Sequence, residues 1–196
     1  MLTRNEDLRL AVRAKPAESR VAAFVELART YGVLTSSRRV LELGCGTGTR
    51  ARELAPYFDE SLGIDPVAAD IRTARVEVGG DGVSFFVGDG VEPGDFGGEP
   101  FDLILCDVSR IPAGRHALER VASLLRSLAP GGLVLLDVPR RRFRGRVRGP
   151  AGTGCGTVSF SWRQLGDAIW SEGGRIMWAD KHRGDGTLYC VVRDAR

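Results

Sequence analysis

The chain has 196 residues, 43% hydrophobic, 27% charged and 7% aromatic, with a formal net charge of +3. That length makes one domain with a substantial core; the composition excludes disorder and collagen-like repeats, and no stretch approaches the roughly 18 apolar residues of a membrane span. Met1 to Arg13 alternates charge with apolar residues, the wrong pattern for a secretory signal. The four cysteines, Cys45, Cys106, Cys155 and Cys190, form no Cys-x-x-Cys pair, which reads as isolated thiols in a reducing, cytoplasmic setting.

Two helices are expected first. Thr3-x-x-Glu6 has the form of a capping box and Pro16 suits a first helical turn. Val21, Phe24, Val25 and Ala28 then form an apolar stripe at helical spacing. Residues 1–37 are expected as a helical lid. Across 38–138, apolar runs at Val40–Leu43, Leu62–Ile64, Val83–Val87, Leu103–Cys106 and Leu133–Val138 alternate with helical patterns. The patterns are Ala51–Tyr57, Val67–Val76 and Arg115–Leu128, and Pro130-Gly131-Gly132 is expected to break the chain before the fifth strand. Near-continuous apolar strands separated by helices predict a parallel sheet covered on both faces. In 139–196, a second capping box, Ser161-x-x-Gln164, opens a helix that stops at Gly173-Gly174. The strands Arg175–Ala179 and Leu188–Val192 follow, joined by a turn over Arg183–Gly186 too short for anything but an antiparallel pair. The expected fold is α/β, a single three-layer domain with seven strands, mostly parallel, the last antiparallel.

The most informative segment is the strand Val40–Leu43 running into Gly44-Cys45-Gly46-Thr47-Gly48 and a helix. Alternate glycines permit a tight turn and close backbone approach to a ligand. A dinucleotide fingerprint needs glycine at its first, third and sixth positions; Thr49 occupies the sixth. No Gly-Lys-Ser/Thr follows, so a P-loop is excluded. Asp65 ends the second strand, where a carboxylate can accept ribose hydroxyls. Asp89 ends the third, at the same sheet edge, where it can accept an adenine amine.

At these residues the chain resembles the class I S-adenosylmethionine-dependent methyltransferases. Glu42-Leu43-Gly44-Cys45-Gly46-Thr47-Gly48 matches their first motif, Gly63-Ile64-Asp65 the second, Gly88-Asp89 the third and Phe101–Asp107 the fourth; Leu128–Gly132 looks like the family's approach to strand five. The resemblance implies a Rossmann-like fold and S-adenosylmethionine as cofactor, with S-adenosylhomocysteine as product. It implies that Gly44, Gly46 and Gly48 border the methionine portion, Glu42 holds its ammonium, Asp65 binds the ribose and Asp89 the adenine. Cys45, Pro66, Gly88 and Gly90 complete that lining, and Asp107 lies near the sulfonium and the acceptor. In-line methyl transfer needs alignment and desolvation more than a covalent catalyst.

The acceptor belongs beyond the carboxyl ends of the strands, among Val108–Gly114, Arg140–Phe160 and His182–Gly186. Arg140–Arg148 holds six arginines and no acid, so it accounts for more than the whole net charge. It reads either as a grip on phosphate or carboxylate, with Phe143 able to stack on a ring, or as a solvated loop. Ser109, Arg110, Arg140, Arg142, Phe143 and Arg144 are the candidate substrate contacts. Asp107 and His182 are the candidate bases, with His116 behind them. After strand four the chain reads Asp107-Val108-Ser109-Arg110, without the Pro-Pro-Tyr of amine methylases of DNA and RNA or the Pro-Cys of cytosine C5 chemistry. Two lysines and one asparagine in the whole chain cannot assemble a Lys-Asp-Lys-Glu set or an Asp-Asp-Asn metal site, so no metal is expected. The reading is a methyltransferase of a small, anionic acceptor, as monomer or homodimer and without a membrane. The alternatives are methylation of RNA or protein through the arginine loop, an aminopropyltransferase-like enzyme, and a non-catalytic cofactor- or nucleic-acid-binding module.

Overall fold

Apolar runs too short for helices and rich in Val, Ile and Leu become parallel strands, and the amphipathic stretches between them cover the faces. The computed structural model describes residues 21–32, 39–90, 92, 94–108, 117–139, 162–181 and 186–193. The elements are α1 (Val21–Thr30), β1 (Arg39–Leu43), α2 (Thr49–Leu54), β2 (Glu60–Asp65), α3 (Ala68–Glu77), β3 (Val83–Val87), β4 (Phe101–Asp107), α4 (Ala117–Arg126), β5 (Leu128–Pro139), α5 (Trp162–Ser171), β6 (Gly174–Lys181) and β7 (Gly186–Arg193). Short 3-10 turns follow α2 at Ala55–Tyr57 and precede β4 at Asp95–Gly97.

The seven strands lie in the order β3-β2-β1-β4-β5-β7-β6. β1, β2, β3, β4 and β5 run parallel, and β7 is antiparallel to both β5 and β6. The expected sandwich with a reversed last strand is the one observed. The chain reverses direction between β1 and β4, the switch point at which ligands of open α/β sheets bind.

Two apolar clusters fill the layers. On one face Leu41, Leu43, Ile104, Cys106, Val134 and Leu136 pack against Val121, Leu124 and Leu125 of α4 and Leu165 and Ile169 of α5. On the other, Val40, Leu103, Leu105, Leu133 and Leu135 pack against α1 and Leu54 of α2. The stripe Val21, Phe24, Val25 and Ala28 is buried there, so α1 forms part of a covering layer. A third cluster joins Ile71 and Ala74 of α3 to Phe85 and Cys45.

One expectation needs correcting. Pro130-Gly131-Gly132 does not break the chain before the fifth strand: β5 starts at Leu128, which pairs with Phe101. The ladder shifts register between Phe101 and Leu103, and Gly131 absorbs the irregularity at a φ of 80°. β3 packs Phe85 against α3 on one face and Phe86 against Phe96 on the other. As an edge strand it buries only Phe85 fully and leaves Val87 54% exposed.

Among the described residues no helix is long and apolar enough to cross a membrane. Residues 1–20, with Thr3, Glu6 and Pro16, lie outside the described residues, as do the arginine loop, Ser161 and the turn His182–Asp185.

Candidate functional site

The turn after β1 is built from backbone geometry that only glycine adopts without strain. Gly44, Gly46 and Gly48 have φ values of 83°, 54° and 81°. At Gly48 a Cβ would also stand 2.6 Å from Cζ of Phe85, so the turn tolerates no side chain there. The N–H groups of Gly44 and Cys45 both donate to the Ile64 carbonyl, at 2.7 and 3.1 Å, tying the turn to the end of β2. The Cys45 side chain packs in the α3 cluster; its contribution to the site is its backbone.

Asp65 is fully buried at the end of β2. Its carboxylate accepts from the Gly46 N–H at 3.0 Å and the Val67 N–H at 2.8 Å. It therefore clamps the glycine turn to the chain leaving β2, across the half-buried Pro66. The Gly88 N–H donates to the Asp65 carbonyl at 3.1 Å, which brings Gly88, Asp89 and Gly90 to the same edge.

Glu42 is the most perturbed acid of the site. It is 3% exposed on β1, and burial pushes its pKa up to about 7, opposed by the Arg50 guanidinium and the Ala51 N–H and reinforced by Asp107 and Asp65. Arg50, in the first turn of α2, approaches Oε1 with Nε at 3.3 Å. Oε2 is buried and accepts no hydrogen bond among the described residues. A buried carboxylate oxygen without a donor is costly, so this atom marks a place that a cation would satisfy.

The register explains why the acids act together. Glu42 stands opposite Gly63 of β2 and Leu105 of β4, and Asp107 stands opposite Asp137 of β5. Side chains alternate along strands, so Glu42, Asp65, Asp107 and Asp137 all belong to the face that carries α1. They are spread along the edge: among the described residues no group of three acids, histidines or cysteines is placed to hold a metal ion. Burial, with Asp107 and Asp137 nearby, also raises the Cys106 thiol well above its ordinary value, leaving it an inert core group.

Asp89 is held from outside the motif. Arg120 of α4 meets its Oδ2 at 2.8 Å and donates to its backbone carbonyl at 3.4 Å, while its own Nε is buried without an acceptor among the described residues.

The structure thus brings together Glu42, Gly44, Cys45, Gly46, Gly48, Asp65, Pro66, Gly88, Asp89, Gly90 and Asp107 along one edge. Ser109, Arg110, His116, Arg140, Arg142, Phe143, Arg144 and His182 lie outside the described residues. Sequence reasoning missed Arg50, Arg120 and Asp137. Asp137 was accessible to the rule that found Asp65 and Asp89, an acid ending a parallel strand; Arg120, 31 residues from its partner, leaves no local signal.

Comparison with known proteins agrees with this geometry. The profile of a family described as methyltransferase domain matches residues 40–132. No curated protein matches the chain. Among solved structures, CalS10 of Micromonospora echinaspora, an amino pentose methyltransferase of calicheamicin biosynthesis solved with S-adenosylmethionine bound, superposes with a TM-score of 0.69 at 18% identity, covering 91% of this chain and 92% of that one. Magnesium protoporphyrin IX methyltransferase of Synechocystis PCC 6803, solved with S-adenosylhomocysteine bound, gives 0.65 at 15% identity over 98% and 88% of the two chains. A S-adenosylmethionine-dependent methyltransferase of Clostridium acetobutylicum gives 0.66 at 13% identity over 87% and 89%. At these identities the likeness establishes a shared fold.

Proposed function

We propose that the chain, whose residues 40–132 match the methyltransferase-domain family, methylates a small, anionic acceptor with S-adenosylmethionine as donor. S-adenosylmethionine, when bound, supplies a methyl group on a cationic sulfur that an acceptor lone pair displaces in line.

The residues present fit that ligand. The carrying observation is the buried, donor-less Oε2 of Glu42 beside three glycines with positive φ, an acceptor placed for the donor's ammonium where no side chain blocks the approach. Asp65 holds the turn in that form, and its carboxylate is the acceptor for the ribose hydroxyls. Asp89, oriented by Arg120, accepts from the adenine amine. Asp107 at the end of β4 faces the reacting centre and is the candidate base toward the acceptor.

For the acceptor, β5 reaches the carboxyl edge beside Asp107, at Asp137, and the sequence then continues into Arg140–Arg148. Six arginines entered from that edge favour a phosphate or carboxylate on the acceptor, with Ser109, Arg110, Arg140, Arg142, Phe143 and Arg144 as its contacts. Isotope-labelled methyl donor, incubated with fractionated metabolites and with RNA, tests this. Label transferred to an acidic small-molecule fraction, and lost with Asp65→Ala, is the expected result. Label confined to RNA or protein would overturn the acceptor class, and absence of donor binding would overturn the whole reading.

A further inference from the structure

One row of residues crosses the sheet from β1 to its open edge. Glu42 of β1 stands opposite Gly63 of β2, and Gly63 opposite Phe85 of β3. Gly63 lies within β2 and has no positive φ, so its backbone does not call for glycine. Space does: a Cβ there would stand 2.5 Å from Cδ1 and 2.7 Å from Cε1 of Phe85. At Gly48, in the turn after β1, a Cβ would stand 2.6 Å from Cζ and 2.7 Å from Cε1 of the same ring. One phenyl ring thus occupies the room left by two glycines, one in β2 and one in the turn.

The ring is well anchored for a residue of an edge strand. Phe85 is 3% exposed and packs with Cys45, Ile71 and Ala74. Its carbonyl accepts from Nε and Nη2 of Arg75 in α3, at 3.0 and 2.7 Å, which occupies a backbone group of the kind that edge strands leave open. We propose that Phe85 is a positioning residue for the methyl donor: its ring, packed against Gly63 and Gly48, holds the glycine turn in the shape that the donor meets. The inference rests on the reading of that turn as the S-adenosylmethionine site. Asp65 fixes the turn through the Gly46 N–H, and Phe85 fixes it through Gly48, from a strand two places away. Close packing carries the restraint, because a filled interior transmits small displacements.

Isothermal titration with S-adenosylmethionine, set beside urea unfolding of the same proteins, tests it. Phe85→Leu keeps a branched apolar side chain but removes Cε1 and Cζ, the ring atoms nearest Gly48. The folded variant should bind the donor about tenfold more weakly. Phe58→Leu makes the same truncation in the cluster under α1; it should lower the urea midpoint but leave donor affinity within about threefold of wild type. Gly63→Ala displaces the ring and should also weaken the donor about tenfold. Because both changes act through one ring, Phe85→Leu with Gly63→Ala should lose less than about 30-fold, against about 100-fold for independent effects. Circular dichroism checks folding, and if Gly63→Ala does not fold, Phe85→Leu against Phe58→Leu decides alone. Unchanged donor affinity in Phe85→Leu, an equal loss in Phe58→Leu, or a double-variant loss equal to the product makes Phe85 an ordinary core residue and overturns the proposal. A wild type that binds no donor overturns the reading of the site, and the proposal with it.

Discussion

Arg39 and Glu42 sit three residues apart on β1, both almost wholly buried, at opposite edges of the same sheet. At the amino edge every nitrogen of Arg39 has a partner. The Arg39 N–H donates to Asp102 at 2.7 Å, its guanidinium bonds Glu60 and the carbonyls of Glu99 and Phe96, and its plane lies over Phe101 at 4.8 Å. At the carboxyl edge Glu42 has one long ion pair and the Ala51 N–H, and one oxygen is left over. A buried charge enclosed by its own protein is a structural tie that pins the loop before β4. A buried charge that the protein leaves half satisfied is the one poised for a ligand.

The largest effect that would break this comparison is on stability. Arg39→Met should cost about 1–3 kcal/mol in urea unfolding, because the Glu99 and Phe96 carbonyls and the half-exposed Glu60 lose their donor. The folded variant should still bind S-adenosylmethionine with an affinity within about threefold of wild type. A large loss of binding with intact stability would reverse the assignment of the two edges.

Glu42→Gln should do the opposite, weakening S-adenosylmethionine binding by about tenfold or more while leaving the protein no less stable at neutral pH. The pH dependence sharpens this. Glu42 holds its proton in the folded protein up to about 7, against an ordinary value of 4.5. Between those values the folded state binds the extra proton, so wild-type stability falls as pH rises and levels off above about 7. The sum is on the order of 3 kcal/mol. Denaturant melts at several pH values should show this decline in wild type and its loss in Glu42→Gln; parallel curves would contradict it.

Arg120→Ala should have the smallest effect. The Arg120–Asp89 pair is partly solvated, with side chains 28% and 42% exposed, so stability should change by no more than about 1 kcal/mol. Donor affinity should drop about threefold as Asp89 loses its orientation. A drop confined to ligands with an intact adenine amine would sharpen the role of Asp89.

Most of the sheet was legible because parallel strands advertise themselves. Val83–Val87 was read to the residue, and the positive φ values of Gly44, Gly46 and Gly48 are what alternate glycines are for. Legibility ended where partners are distant. Nothing near Arg120 points to Asp89, and nothing near Arg39 points to Asp102, 63 residues on. Pro130-Gly131-Gly132 looked like a break because local propensity says so; pairing of Leu128 with Phe101 overrides it. Asp137 was overlooked because strand five ends in Val-Pro and arginines that draw attention to charge of the other sign.

The central claim, that Glu42 awaits the cation of the methyl donor, is tested most directly by calorimetry below its pKa. At about pH 6, S-adenosylmethionine should bind with release of a large fraction of one proton, seen as different apparent enthalpies in buffers of different ionisation enthalpy. Glu42→Gln should abolish that release. Binding to wild type without proton release, or with the same release in the variant, would contradict the account.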